Sequence, residues 1–294
     1  MVDTADGGQR PQGTKQSNIC NTNFSWICNE MRTMNEVSLG PVWLQGCSLE
    51  EATEWLIGQA TPSKCGVSVR LMNAYCVYLA NREPSYARIL NSKNGVNFPD
   101  GKPVALYLRL FQPRAQQVRG PSLFKLALDR GRTSHIRHFF LGTTSETLEK
   151  LVDSVEKIYP GVAIAGTFAP PFGELDDKFL LKCTECTNWE DVDVLWVGIG
   201  TPKQDYLSTV LADRLGIPVV GIGAAFDFVA RTVPEAPQFF SVLGLEWLYR
   251  LASEPRRLWK RYVFGNFGFI SIAVKSMVAQ AFRNRRRGRL HTEK

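Results

Sequence analysis

The sequence predicts an α/β fold: a mostly parallel sheet with helices on both faces, followed by a C-terminal helical appendage suited to a membrane surface. Three observations carry this. Strand-like and helix-like segments alternate from about residue 67 to 228, the pattern of consecutive βαβ units. Two apolar runs break into Gly-x-Gly turns, at Gly198-Ile199-Gly200 and Gly221-Ile222-Gly223. From Leu243 onward, arginines and aromatic residues interleave at helical spacing.

Ser48-Leu49-Glu50-Glu51 has capping-box spacing and opens a helix to about Ile57. Val67 to Met72 reads as a strand ending at Asn73, and Ala74 to Ala80 as a helix. Phe98-Pro99-Asp100-Gly101 reads as a turn. Val104 to Leu110 is expected to be a strand and Leu123 to Leu128 a helix. Arg137 to Leu141 is a strand ending at Gly142. Thr143-Thr144-Ser145-Glu146 again has capping-box spacing, before a helix to about Ile158. Val162 to Ala165 reads as a strand and Phe179 to Cys186 as a helix. Val194 to Val197, the helix Tyr206 to Leu215 and the strand Pro218 to Ile222 complete the alternation.

The chain divides into an N-terminal arm (1–45), an α/β core (46–242) and a basic, aromatic appendage (243–294). The first 17 residues lack an apolar stretch, which predicts disorder and no secretory signal. Seven cysteines at irregular spacing argue against a disulfide framework and for a reducing cytosol. Cys183-Thr184-Glu185-Cys186 is a lone CxxC with no second pair or matching histidines, so structural zinc is not expected. The net charge of +7 is a property of the C-terminus: from Arg250 onward stand 12 basic against 2 acidic residues, and before it 23 against 26. That distribution favours a local phosphate contact over a globally basic nucleic-acid binder.

The strand Val194 to Val197 ends in Gly198-Ile199-Gly200-Thr201-Pro202-Lys203-Gln204-Asp205. Ligands of open α/β sheets sit outside the carboxyl ends of strands. Pro202 suits a first helical position, and N–H groups at a helix start attract anions. Lys203 adds a charge and Gln204 an amide. The segment therefore reads as a site for a phosphorylated or similarly polar ligand, with the second Gly-x-Gly turn lining the same crevice. Neither turn fits the GxGxxG dinucleotide fingerprint, and no Walker A pattern occurs.

In the appendage, Trp and Tyr suit the membrane interface and Arg suits anionic head groups. Phe264 to Phe282 is about as long as a membrane span, but Asn266, Lys275 and Gln280 argue for a helix lying in the interface. Its apolar side would carry Phe267, Ile270, Val274, Met277, Val278 and Ala281, and Arg283 and Arg285-Arg286-Arg287 would give it a polybasic end.

With three histidines and no Ser-His-Asp order, HExxH or GxSxG, a carboxylate is the default base, and Asp100 in its Pro-Asp-Gly turn is a candidate. Asp191-Val192-Asp193 has the DxD form of metal-dependent glycosyltransferases. It lies at the amino end of its strand, away from the expected crevice, and no metal site is expected there.

Taken together, Val197 to Asp205, Gly221 to Asp227, Ala236-Pro237, Leu243 to Leu251 and Glu254-Pro255-Arg256-Arg257-Leu258 resemble the WecG/TagA/CpsF glycosyltransferases. Asn73, Pro99-Asp100-Gly101, Arg119-Gly120, Leu141-Gly142 and Tyr159-Pro160-Gly161 extend the resemblance, which spans about residues 65 to 262. It implies a Rossmann-like core and no cofactor. It implies an inverting, metal-independent transfer of a sugar from a UDP-sugar to a polyprenyl-diphosphate-linked acceptor. The reaction would take place peripherally at the cytoplasmic membrane face, in cell-surface polysaccharide synthesis. By the same resemblance Asp100 matches the family's proposed base and Gln204 its conserved glutamine. Arg250, Arg256 and Arg257 match arginines that would neutralise either the leaving UDP or the lipid diphosphate. Asn73, Gly142, Gly198, Gly200, Thr201, Pro202, Lys203 and Asp227 fall in the substrate-binding segments. Leu71, Arg231, Glu235 and Asp205 depart from the family's usual Thr, Gly, Arg and Glu, so N-acetylmannosamine, its uronic acid and glucose all stay open as the transferred sugar. A homo-oligomer is compatible with the sequence. The rival readings are a nucleotide-binding oxidoreductase, against which the broken fingerprint speaks, and a non-enzymatic membrane or nucleic-acid module built on the basic tail.

Overall fold

The structure, a computed structural model, describes residues 36–60 and 66–292. Most of the expected N-terminal arm lies outside the described residues. Its last part does not: β1 (Glu36–Leu39) and β2 (Val42–Gln45) form an antiparallel hairpin. Alternate residues Val37, Leu39, Val42 and Leu44 are buried, so burial of one face orders a segment assigned above to the arm.

The core is Rossmann-like. Six strands, β3 (Ser68–Met72), β4 (Gly95–Pro99), β5 (Arg137–Gly142), β6 (Ala163–Phe168), β7 (Val194–Gly198) and β8 (Val219–Gly221), form one sheet in the order β4-β3-β8-β7-β5-β6. Every neighbouring pair is parallel. Both faces are covered, so the strands read as continuous apolar runs. On one face, Val69, Phe140, Trp196 and Val220 pack under α1 (Leu49–Ala60), α5 (Gly120–Gly131), α6 (Ser145–Ile158) and α9 (Ala225–Val229). Phe124 of α5 makes edge contacts there with Phe140, Trp196 and Phe226 at centroid distances of 5.4, 4.9 and 5.6 Å. On the other face, Leu141, Leu195, Val197 and Val219 pack against α7 (Asp177–Glu185) and α8 (Lys203–Leu215). A third cluster gathers the hairpin, α2 (Ala74–Arg82), α3 (Pro84–Leu90), α4 (Lys102–Arg109) and the C-terminal helix.

The local signals act as their chemistry requires at most positions. The Ser48/Glu51 capping box is reciprocal: Ser48 N–H donates to Glu51 Oε2 at 2.8 Å, and Glu51 N–H to Ser48 Oγ at 3.1 Å. The second box is displaced. Thr144, not Thr143, caps α6 by accepting from Thr147 N–H at 3.3 Å, while Thr143 takes a left-handed φ of 47°. The segment expected as a strand at 104–110 is helix α4. Its buried residues Val104, Tyr107 and Leu108 are spaced for a helix, and Leu106 is exposed. A short apolar run does not by itself separate the two periods. The true strand in that region is β4, just before Asp100.

After α10 (Gln238–Leu243) and α11 (Glu246–Ser253), the chain ends in a long helix, α12 (Pro255–Thr292). One side of it is fastened to the protein between Leu258 and Gln280. Leu258, Phe269, Ile272, Ala273 and Ser276 are buried. Ser276 Oγ accepts from Gly40 N–H at 2.8 Å, and Gln280 Nε2 donates to Ser38 O at 2.7 Å. Gly265 and Gly268 allow close approach to α2: a Cβ at 265 would lie 3.2 Å from Tyr75 Cα, and one at 268 would strike the Tyr78 ring. The opposite side exposes Val263, Phe264, Phe267, Ile270, Val274, Val278 and Phe282. Met277, assigned above to that outer side, turns inward onto the third cluster. Leu258–Phe282 is long and apolar enough to cross a membrane by length and composition.

Candidate active site

A crevice of about 800 Å³ opens along the carboxyl edge of the sheet, where the crossover order of the strands leaves room for a ligand. Its walls are the segments that follow each strand, closed on one side by Trp247 and Arg250 of α11 and by Arg261 and Tyr262 of α12.

Asp100 follows β4 directly. Its Oδ1 accepts from the Gly120 N–H at 3.2 Å, at the first turn of α5, and its own N–H donates to Met72 O at 2.9 Å. The carboxyl is therefore held at both ends of its residue and faces the crevice. Burial pushes it up to about 6, and Glu246 adds to the rise, while the Gly120 N–H, Arg119 and Arg250 pull the other way. A carboxylate with that proton affinity is ionised at neutral pH and still a useful proton acceptor.

The two Gly-x-Gly turns are joined by Gln204. This side chain is 3% exposed, and its Oε1 accepts from Gly200 N–H at 3.1 Å and from Gly223 N–H at 3.0 Å. Its carbonyl is thus occupied in bracing the turns after β7 and β8, and Nε2 is the group that faces Thr201 Oγ1, at 3.5 Å. Truncating Gln204 to alanine leaves both donors without that acceptor, at about 1–3 kcal/mol for each that water does not reach. Gln204→Ala is expected to lower stability measurably in urea unfolding. Wild-type stability with only kcat reduced would instead place Gln204 on the substrate.

Part of the expected helix start differs. Pro202 lies one residue before α8 rather than inside it. The Gln204 N–H donates to Gly200 O and the Asp205 N–H to Pro202 O, both at 3.0 Å, so these two donors are taken up within the loop. Lys203 Nζ donates to Gly173 O at 2.6 Å across the crevice mouth. Asp205 turns inward: it is 2% exposed and accepts from Tyr86 Oη at 2.7 Å.

Asn73, Gly198, Gly200, Thr201, Lys203, Asp227 and Arg250 line the crevice with Asp100 and Gln204. The Asn73 side-chain carbonyl caps α2 by accepting from Tyr75 N–H at 3.0 Å and Cys76 N–H at 3.2 Å. Asp227 accepts from Thr143 Oγ1 at 3.4 Å. The Arg250 guanidinium lies over the Phe228 ring, 5.4 Å from its centroid. Gly142 and Pro202 are not among the lining residues. Gly142 has φ 136°, and a Cβ there would lie 2.5 Å from Gly198 O, so its glycine serves β5–β7 packing beneath the site. Arg256 is exposed on α12 away from the lining, and the Arg257 side chain lies outside the described ones.

Residues not singled out as site candidates also converge here. Arg119 meets Glu246 through two bonds, Nη2–Oε1 at 2.6 Å and Nε–Oε2 at 3.1 Å. Arg261 lies over Tyr75 at 5.0 Å. The interleaved arginines and aromatics of the appendage carried a signal for Arg261 and Tyr262, whereas nothing local marks the pairing of residues 119 and 246.

The other motif candidates lie apart from the crevice. Asp191 and Asp193 are held by Arg137 at 3.0 and 2.9 Å, at the amino edge of the sheet. Among the described residues, no three His, Cys, Asp or Glu side chains gather into a metal-sized group. Cys183 and Cys186 are free thiols that burial pushes up to about 12 and about 11. His138 is buried, which lowers it to about 4, and its Nδ1 accepts from Trp196 Nε1 at 3.1 Å.

A wholly parallel sheet with a crevice along its carboxyl edge, where Asp100, Asp227 and Glu246 lie among Arg119, Arg250 and Arg261, is the architecture of a Rossmann-like ligand-binding protein. The chain belongs to the Glycosyl transferase WecG/TagA/CpsF family, whose family model matches residues 37–284, and it is a glycosyltransferase. The match takes in the hairpin and most of α12, beyond the span the motifs alone suggested. The chain is similar to the N-acetylglucosaminyldiphosphoundecaprenol N-acetyl-beta-D-mannosaminyltransferase of Bacillus spizizenii, at 28% identity over 201 residues, 67% of this chain and 74% of the relative. The Bacillus subtilis protein of the same name is 28% identical over 200 residues, 67% of this chain and 75% of the relative. That of Staphylococcus aureus is 26% identical over 190 residues, 64% and 71% of the two chains.

Proposed function

We propose that the enzyme transfers a sugar from a UDP-sugar to a polyprenyl-diphosphate-linked sugar, by a single inverting displacement without a metal. The observation that carries this reading is Asp100: a proton acceptor with an affinity near neutral, fixed in a crevice whose C-terminal wall supplies Arg250 and Arg261. The acceptor hydroxyl gives its proton to Asp100 as its oxygen bonds to the anomeric carbon. The bond from that carbon to the diphosphate oxygen breaks with inversion, and UDP leaves with the bonding pair. Arginines can meet the charge that develops on the departing diphosphate through paired N–H donors. The relatives' names describe an N-acetylmannosamine transfer onto N-acetylglucosaminyl-diphospho-undecaprenol, which supports the lipid-linked acceptor and makes N-acetylmannosamine the first donor sugar to try.

The lipid-linked acceptor places the reaction at a membrane, and α12 is shaped for that. Between Leu258 and Gln280 its inner side is covered by α2 and the hairpin, so its apolar outer side would lie in the interface plane rather than cross it. This supports a peripheral enzyme of the cytoplasmic membrane face.

The test is to offer UDP-sugars to the full chain with a lipid-diphosphate-linked N-acetylglucosamine analogue, with and without EDTA. Transfer from one UDP-sugar, undiminished by EDTA, is expected. An absolute requirement for manganese would overturn the metal-free displacement.

A further inference from the structure

Four charged side chains form a chain beside Asp100. Lys125 Nζ contacts Glu235 Oε2 at 2.8 Å, Glu235 Oε1 contacts Arg119 Nη2 at 3.0 Å, and Arg119 is gripped by both Glu246 oxygens. Arg119, Glu235 and Glu246 are partly buried, with side chains 17–28% exposed. Arg119 directly precedes Gly120, whose N–H holds Asp100. Its guanidinium is thus brought next to the candidate base, on which its charge acts. Yet among the described residues its ion pairs are with Glu235 and Glu246.

We propose that Glu235 and Glu246 are positioning residues that hold the Arg119 guanidinium off Asp100, so that Asp100 stays a proton acceptor rather than half of an ion pair. The inference rests on Asp100 being the base. An unattended guanidinium beside a carboxylate would pair with it, and an opposite charge at that range lowers a carboxyl by roughly 1–3 units. A carboxylate lowered that far is a poor base at neutral pH. The groups that face Asp100 are Arg119 and the Gly120 N–H at the start of α5, Glu246 and Arg250 on α11, and Tyr262 on α12, with Lys102 opening α4 two residues on. Because Glu246 belongs to α11 and Glu235 to the segment before α10, the chain also ties the state of the base to the seating of the C-terminal helices.

The experiment is the pH profile of kcat/KM for sugar transfer by the full chain, comparing Glu246→Gln and Glu235→Gln with the wild type. Glu246→Gln removes the grip and one negative charge facing Asp100. Glu235 reaches Asp100 through Arg119, so Glu235→Gln weakens the hold on Arg119 while the Glu246 charge stays in place. Both variants are expected to move the acidic limb to lower pH, by roughly 1 unit for Glu246→Gln and by less for Glu235→Gln, with a lower plateau from the weaker base. An acidic limb that stays in place while the plateau falls would mean that the chain only fastens the helices together, and would overturn the proposal. If Glu246→Gln does not fold, Glu235→Gln carries the same test. Asp100→Asn runs in parallel: full turnover by that variant would overturn the base assignment and this inference together. An inactive Asp100→Asn with unmoved limbs in the two glutamine variants would overturn this inference alone.

Discussion

Asp100→Asn is expected to cut sugar transfer by roughly 10²–10⁴-fold, the contribution of a positioned general base, while binding of the UDP-sugar is retained. Asparagine keeps the shape and the oxygen that accepts from the Gly120 N–H, so the loss would fall on proton transfer. The same substitution should stabilise the fold at neutral pH. The carboxyl is raised from 3.8 to about 6 in the folded protein, so ionisation is disfavoured there relative to the unfolded chain. The sign follows: the folded state's extra proton affinity favours folding fully below about 4 and is lost as pH rises through about 6. Above that, the ionised carboxylate costs up to about 3 kcal/mol, reduced to about 1–2 kcal/mol by water on the open side of the crevice. Asp100→Asn should therefore raise Tm by a few degrees at pH 7.5, with the difference gone near pH 4. Equal Tm values at pH 7.5, or undiminished turnover, would remove Asp100 from its assigned role. In the wild type, kcat/KM should rise through about pH 6 as the base ionises.

Charging the outer side of α12 should abolish vesicle binding and leave the fold intact. Phe267, Ile270 and Val274 are 74%, 57% and 49% exposed, so glutamates there can reach solvent at little cost in packing. Each apolar side chain that enters the interface contributes about 1 kcal/mol or more. Losing three should weaken binding by at least roughly 10²-fold, before the cost of bringing glutamates to an anionic surface. In flotation with anionic vesicles, the wild type should float at low and at high salt. A contact made by the arginines alone should fade at high salt, because their attraction is screened within a Debye length. If Phe267→Glu/Ile270→Glu/Val274→Glu floats like the wild type at both salts, the outer side of α12 is not the membrane contact.

The sequence by itself determined the layers of this protein and most of the crevice edge. Apolar runs that alternate with amphipathic segments can bury both kinds of element only as a covered parallel sheet. The strand ends at Asn73, Gly198 and Gly221 are punctuated by residues whose local chemistry is legible at short range. The same locality explains the misreadings. Val104 to Leu110 is apolar enough for either period, and only the packing of Tyr107 and Leu108 into the third cluster selects a helix. The hairpin at 36–45 has a short alternation of its own in Val37, Leu39, Val42 and Leu44, but it is fastened by Ser276 and Gln280, more than 200 positions away in the chain. Tertiary structure alone decided the division of labour in the site. Gln204 looks like a ligand-binding amide until the turn after β8 arrives beside it and takes up its carbonyl. Arg119 and Glu246 are 127 positions apart. Their meeting, and with it the electrostatic surroundings of Asp100, exists only because α11 and α12 fold back over the carboxyl edge of the sheet.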